Sequence, residues 1–245
     1  MESVNASTVK EIERIVKDNQ VQTIQIGDRI FVTSDGLVEI KPQKSRAARL
    51  TFSDLTSIVQ IVKREKNRFV APLYVNIESE TRVSVITSMD DDKEREIPYA
   101  AETSGGKFRF GSPYDYESFV IAVRSLFTQN DDTKELLQLL KKFASVESVE
   151  TNDDGISQSV VTKSGAALAE NIKAAPIRTL APYRTFIEVL QPQSEFLFRV
   201  SPNGAFSLYE ADSGAWKIQA KRYIRYFFED ALGEELKNGE VVILG

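Results

Sequence analysis

The chain contains neither cysteine nor histidine. Without cysteine there are no disulfides, no thiolate nucleophile and none of the usual structural zinc sites. Without histidine the side chain that titrates near neutral pH is missing. Ser-His-Asp catalysis, Cys-His catalysis and His-ligated metal sites are excluded together. Chemistry would have to rest on carboxylates, lysine, tyrosine or a carboxylate-held Mg²⁺. This turns the reading towards a binding protein, with no catalytic residue, no cofactor and no metal site expected.

Long apolar runs are missing too, and no stretch approaches the roughly 18 residues a membrane span needs. Met1-Glu2-Ser3-Val4-Asn5 is polar and acidic rather than basic and then apolar. No secretory signal is expected, and the cytoplasm is the expected location. The net charge is −5, so the surface as a whole does not attract nucleic acid. An anion site would have to be a local patch.

What is present is an ordinary globular balance, with 42% hydrophobic and 27% charged residues in 245. The chain is long enough to bury a real core. Val9, Ile12, Ile15 and Val16 give a short N-terminal helix a modest apolar face, and runs around Gly27-Asp28 and Asp35-Gly36 read as strands and a hairpin. A polar, basic stretch from Pro42 to Arg49 then suggests a hinge. The expected units are a helix-plus-hairpin over 1–45 and a main domain over 46–245.

In the main domain, Leu55, Ile58, Val59 and Val62 repeat at helical spacing behind Ser53 as cap. Ser112-Pro113-Tyr114-Asp115 is a helix start signal, followed by the apolar stripe Tyr116, Phe119, Val120, Val123 and Phe127. Leu136, Leu137, Leu140, Phe143 and Ala144 mark a third helix behind Asp131 or Asp132. Trp216, Ala220, Tyr223, Ile224, Phe227, Phe228 and Ala231 mark a fourth, capped by Asp212 or Ser213 and ended by Gly233. Strand-like alternation falls at 73–77, 82–87, 107–110, 146–151, 156–163, 196–200 and 206–209, and 239–245 reads as an edge strand or tail. Grouped strands and grouped helices predict an α+β fold, with antiparallel sheets packed against about four to five helices.

Candidate sites each stand beside a plainer reading. Asp90-Asp91-Asp92 could hold Mg²⁺ or Ca²⁺, but Lys93 and Arg95 supply counter-charge and no EF-hand spacing follows, so a solvated loop is expected. Ser104-Gly105-Gly106-Lys107 has the flavour of a phosphate loop without the full spacing or the helix behind it. The segment from Arg178 to Arg199 alternates charged and amide groups with rings and prolines. Arg178, Tyr183, Arg184, Phe186, Glu188 and Gln191 are its candidate ligand or partner contacts. Its plainer reading is an irregular stretch whose arginines and glutamates pair with each other. Lys217, Lys221 and Arg225 recur along the flank of the last helix with Arg222 nearby. They could hold phosphates or an acidic partner, or could simply lie over the rim of a core helix. The sharpest expectation is that the segment and the flank converge on one anion- or partner-binding surface.

Four stretches carry a resemblance: Ser125 to Gln129, Asp153 to Gln158, Leu180 to Glu188 with Gln191-Pro192, and Tyr209 to Trp216. Over about residues 119–232 the chain resembles the YfdQ-like proteins of phages and prophages. The resemblance implies a phage or prophage origin and brings no activity and no catalytic residues with it. Three classes of function follow, in order. The first is an accessory protein, such as a counter-defence factor, that binds a host protein or sequesters a small anionic (nucleotide) signal. The second is a recombination or replication accessory binding single-stranded DNA, disfavoured by the net charge. The third is a self-assembling structural protein. A homo-oligomer is expected, with Val241 to Leu244 as an edge for pairing.

Overall fold

Side-chain caps rather than apolar periodicity decide where three of the described helices begin. The computed structural model describes residues 7, 9–11, 13–14, 22–27, 29–33, 37–40, 48–106, 108–142, 148–153, 158–164, 167–174 and 177–245. The expectations for Ile12, Ile15, Val16, Phe143 and Ala144, and most of the hinge expected from Pro42 to Arg49, lie outside those residues. The chain divides into two compact units, Met1–Ala47 and Ala48–Gly245. The first contains helical residues at 7, 9–11 and 13–14, followed by an antiparallel meander of β1 (Gln22–Ile26), β2 (Arg29–Thr33) and β3 (Leu37–Ile40).

The second unit is α+β. Its helix α1 (Leu55–Glu65) starts one residue later than expected, because Asp54 rather than Ser53 takes the cap and accepts the Ser57 N–H at 2.7 Å. Helix α2 (Tyr116–Leu126) ignores the Ser-Pro signal. Tyr114 pairs as a β-bridge with Phe206, which keeps it extended, and Asp115 becomes the cap. Helix α3 (Asp131–Lys141) is capped by Asn130, not by the aspartates after it. Helix α4 (Trp216–Ala231) has no side-chain cap; Ser213 sits at φ +52° and neither it nor Asp212 reaches the helix start. Gly233 does not end the helical region but opens a short helix α5 (Gly233–Lys237).

Two cores result. In the first, α2 and α3 cover a three-stranded antiparallel sheet of β11 (Ile177–Leu180), β12 (Ser194–Val200) and β13 (Phe206–Glu210). Phe108 and Phe110 join this core from a loop, not from the expected strand at 107–110. In the second, α1 and α4 pack on a five-stranded sheet ordered β14-β5-β6-β7-β4, built from β4 (Leu50–Phe52), β5 (Leu73–Ser79), β6 (Arg82–Ile86), β7 (Tyr99–Glu102) and β14 (Val241–Leu244). This sheet is mixed rather than purely antiparallel: β14 runs parallel to β5, and β4 parallel to β7. Phe228 takes the fully buried position on α4, and Phe227 is only partly buried beside it. A separate antiparallel sheet joins β8 (Ser148–Asp153), β9 (Gln158–Ser164) and β10 (Ala167–Ala174). Among the described residues no helix is long and apolar enough to cross a membrane.

The second core carries a cluster of ionisable groups at its rim. Lys66 donates to Glu240 at 2.6 Å and Glu235 at 3.3 Å, tying the turn after α1 to α5 and the start of β14. Tyr99 donates its hydroxyl to Glu65. Burial and that hydrogen bond push the Tyr99 hydroxyl from its ordinary 10.0 up to about 12, and the bond to Glu240 leads the causes that raise the Lys66 ammonium. Both groups hold their protons more tightly when folded. Their contribution is full below the unfolded values and is lost as pH rises through the folded ones. The melting temperature should therefore fall between pH about 10 and about 12, and less steeply in Tyr99→Phe than in the parent protein. Equal slopes would remove Tyr99 from this account.

Candidate functional site

The loop from Ala181 to Pro192 joins the two cores, and its backbone is held at close quarters by glycines. Tyr183 donates its N–H to the Leu126 carbonyl at 2.8 Å, and its own carbonyl accepts the Gly106 N–H at 2.5 Å. A Cβ on Gly106 would lie 2.5 Å from that carbonyl, and one on Gly105 would meet the Arg184 carbonyl at 3.2 Å. The Ser104–Gly106 stretch is therefore a close-packing element for this loop. The Asp90–Asp92 run forms a turn in which Asp90 accepts the Asp92 and Glu94 N–H groups at 2.9 Å each.

Within the loop, Gln191 is buried and acts as a template. Its Oε1 accepts the Arg184 N–H at 3.0 Å, and its Nε2 donates to the Phe186 carbonyl at 2.9 Å and the Val189 carbonyl at 3.1 Å. Phe186 is inserted into the second core. Glu188 reaches the N–H groups at the start of α1, accepting from Leu55 at 2.6 Å and Thr56 at 2.8 Å. A carboxylate there satisfies orphan donors and complements the helix dipole.

Arg184 lies where the cores meet. Its side chain is only 6% exposed. It donates to Glu210 at 2.8 Å and to the Ser194 hydroxyl, and its guanidinium lies 3.9 Å from the centroid of the Trp216 ring. Burial lowers the guanidinium pKa, while Glu210 and Asp212 work against that loss. As a ligand contact Arg184 is already engaged, and Phe186, Glu188 and Gln191 are engaged in the same way. Arg178, with 15% of its side chain exposed, faces Glu135 at 3.4 Å. Tyr183 is half-buried.

Arg184 meets the last helix at its first residue, Trp216, whose ring centroid Lys217 approaches at 5.9 Å, while Phe186 shares the second core with Ile224 and Phe228 of that helix. The sequence could not separate these outcomes, because an arginine among rings and prolines has the same pattern whether it faces solvent or the interior. Pro182 and Phe186, both apolar neighbours of Arg184, were the usable signal.

On α4 the cations divide. Lys217 stands 3.6 Å from Glu80. Arg225 donates to the Gly245 carbonyl at 2.6 Å and lies 3.7 Å from Glu229. Among the described residues Lys221 and Arg222 have no ion-pair partner. Arg222 is exposed, one helical turn from Ile218 (61% exposed) and one turn from Tyr226 (58% exposed). The outward face of α4 therefore carries unneutralised cations between two uncovered apolar side chains; the cations are candidates in the sequence, whereas Ile218 and Tyr226 are not among them. Comparison with protein-family models, curated proteins and solved structures returns no match.

Proposed function

We propose that this protein acts by binding rather than catalysis, as a phage or prophage accessory factor in the host cytoplasm, and that the outward face of α4 docks on an acidic host protein. One observation carries the reading: Arg222, without an ion-pair partner, stands between exposed Ile218 and Tyr226. Arginine and aromatic anchors of this kind dominate protein interfaces. A convex helix suits a protein surface better than a small nucleotide, which needs a concave site. The absence of histidine and cysteine supports binding over turnover. The outer edge of β14 has no neighbouring strand among the described residues, which supports self-association through that edge.

Photo-crosslinking tests these contacts. A photoreactive residue placed at Ile218 or Tyr226, in bacterial cells making the protein, should give a discrete adduct with one host protein. The same residue at exposed Gln60 on α1 should not, and at Val242 it should give a dimer of the chain itself. Adducts with nucleic acid, or adducts independent of position, would overturn the docking assignment. Failure at Val242 alone would overturn only self-association.

A further inference from the structure

A shallow hollow of about 360 Å³ opens beside Trp216, well apart in character from the cationic face of α4. Thr179 contributes from β11; Gln193 precedes β12, and Ser194 and Glu195 open it; Asp212 and Ala215 come from the turn before α4; Trp216 and Gln219 complete it from the first turn of the helix. The lining has two carboxylates, two amides, two hydroxyls and an indole, and no cation. Arg184 lies behind the hollow, against the indole, and its charge is matched by Glu210 at 2.8 Å.

Because α4 begins here, an anion at its N-terminal N–H groups is the rival ligand. Three of those donors are occupied: Ala215 N–H bonds the Asp212 carbonyl at 3.0 Å, Lys217 N–H the Gly214 carbonyl at 3.1 Å, and Ile218 N–H the Ala215 carbonyl at 3.1 Å. Asp212 Oδ1 accepts the Gly214 N–H at 3.1 Å and places a further negative charge at the mouth. Glu195 is exposed and, among the described residues, has no side-chain partner. An anion would meet two carboxylates, and none of the lining residues is a cation; Lys217, whose Nζ lies 5.9 Å from the indole centroid, is not part of the lining. A cation meets two acceptors, flanking amide oxygens and an aromatic wall.

We propose that this hollow is a binding site for an organic cation, a guanidinium or primary ammonium group on an aliphatic stem, with Glu195 and Asp212 as its acceptors and Trp216 as the wall for the stem. The same chemistry occurs in free polyamines and in arginine or lysine side chains of a polypeptide. The site is independent of the α4 docking face and uses none of its residues.

Trp216 is the chain's single tryptophan, so its indole N–H gives one assignable resonance and its emission reports one place. The full chain is titrated with agmatine, with spermidine and with the peptide acetyl-Gly-Arg-Gly-amide, against sodium chloride at equal ionic strength and inorganic phosphate. A saturable shift of the indole resonance is expected with the organic cations and not with salt or phosphate. Glu195→Gln should weaken it about tenfold at an unchanged melting temperature. A tighter response to the peptide than to the amines assigns the site to a polypeptide side chain, and the reverse order to a free amine. The proposal fails if no cation gives saturation by about 10 mM, if phosphate competes, or if Glu195→Gln binds as the parent does.

Discussion

Replacing Phe119 with alanine is expected to destabilise the protein by about 3–5 kcal/mol, the range for removing a fully buried phenylalanine. Phe119 is wholly inaccessible on α2 and stands in the middle of an aromatic cluster. Its ring centroid lies 5.6 Å from Phe206, 5.9 Å from Tyr114, 6.0 Å from Phe108 and 6.1 Å from Phe198. These neighbours come from the segment before the helix and from two strands, so no single element can move inward to fill the space. Tilted and edge-on ring pairs add to the loss beyond the area uncovered. Urea denaturation should show a lower midpoint with an unchanged slope. A loss below about 1 kcal/mol would mean that the cluster does not organise the first core.

Arg184→Ala is expected to cost about 2–4 kcal/mol. The upper end for breaking a buried ion pair is not reached, because Glu210 retains 39% of its side-chain exposure and is partly solvated once its partner is gone. The remaining loss comes from the gap beside Trp216 and the hydroxyl of Ser194 left without its donor. Arg184→Lys should not restore the parent stability. An ammonium cannot lie flat on the indole while donating to Ser194 and Glu210 at once. Trp216 emission should shift in both variants, because each changes the environment of the ring. An unchanged melting temperature in Arg184→Ala would return this residue to the list of ligand contacts.

The helices were legible because an apolar face repeats every three to four residues over several turns, as in Leu55, Ile58 and Val62 or Leu136 and Leu140. Their starts were less so. A cap is chosen by which side chain reaches a free N–H, and neighbouring Ser53 and Asp54, or Asn130 and Asp131, look equivalent in sequence. The parallel pairing of β14 with β5 was hidden for a different reason. It joins residues far apart in the chain, and a strand's own sequence does not state its partner's direction. The strands β4 and β7 are too short to show alternation. At the candidate site the residue types were legible and their exposure was not. Glu188 reads as a surface charge, yet it caps α1 more than a hundred residues earlier in the chain, with a separation of 133 to Leu55. Gly105 and Gly106 resembled a phosphate loop because glycine serves any close backbone approach, and here the approaching group is the carbonyl of Tyr183.

Binding is proposed to reside on the outward face of α4 and not on the buried Arg184 cluster. The direct measurement is the yield of the host-protein adduct from a photoreactive residue at Tyr226, in the parent sequence and in Lys221→Glu with Arg222→Glu. Both lysine and arginine lie outside the cores and have no ion-pair partner among the described residues, so reversal of their charge should leave the melting temperature unchanged. The adduct should fall about tenfold or more, as expected when rim attraction to an acidic surface becomes repulsion. An adduct formed at parental yield by the charge-reversed protein, at an unchanged melting temperature, would contradict the claim.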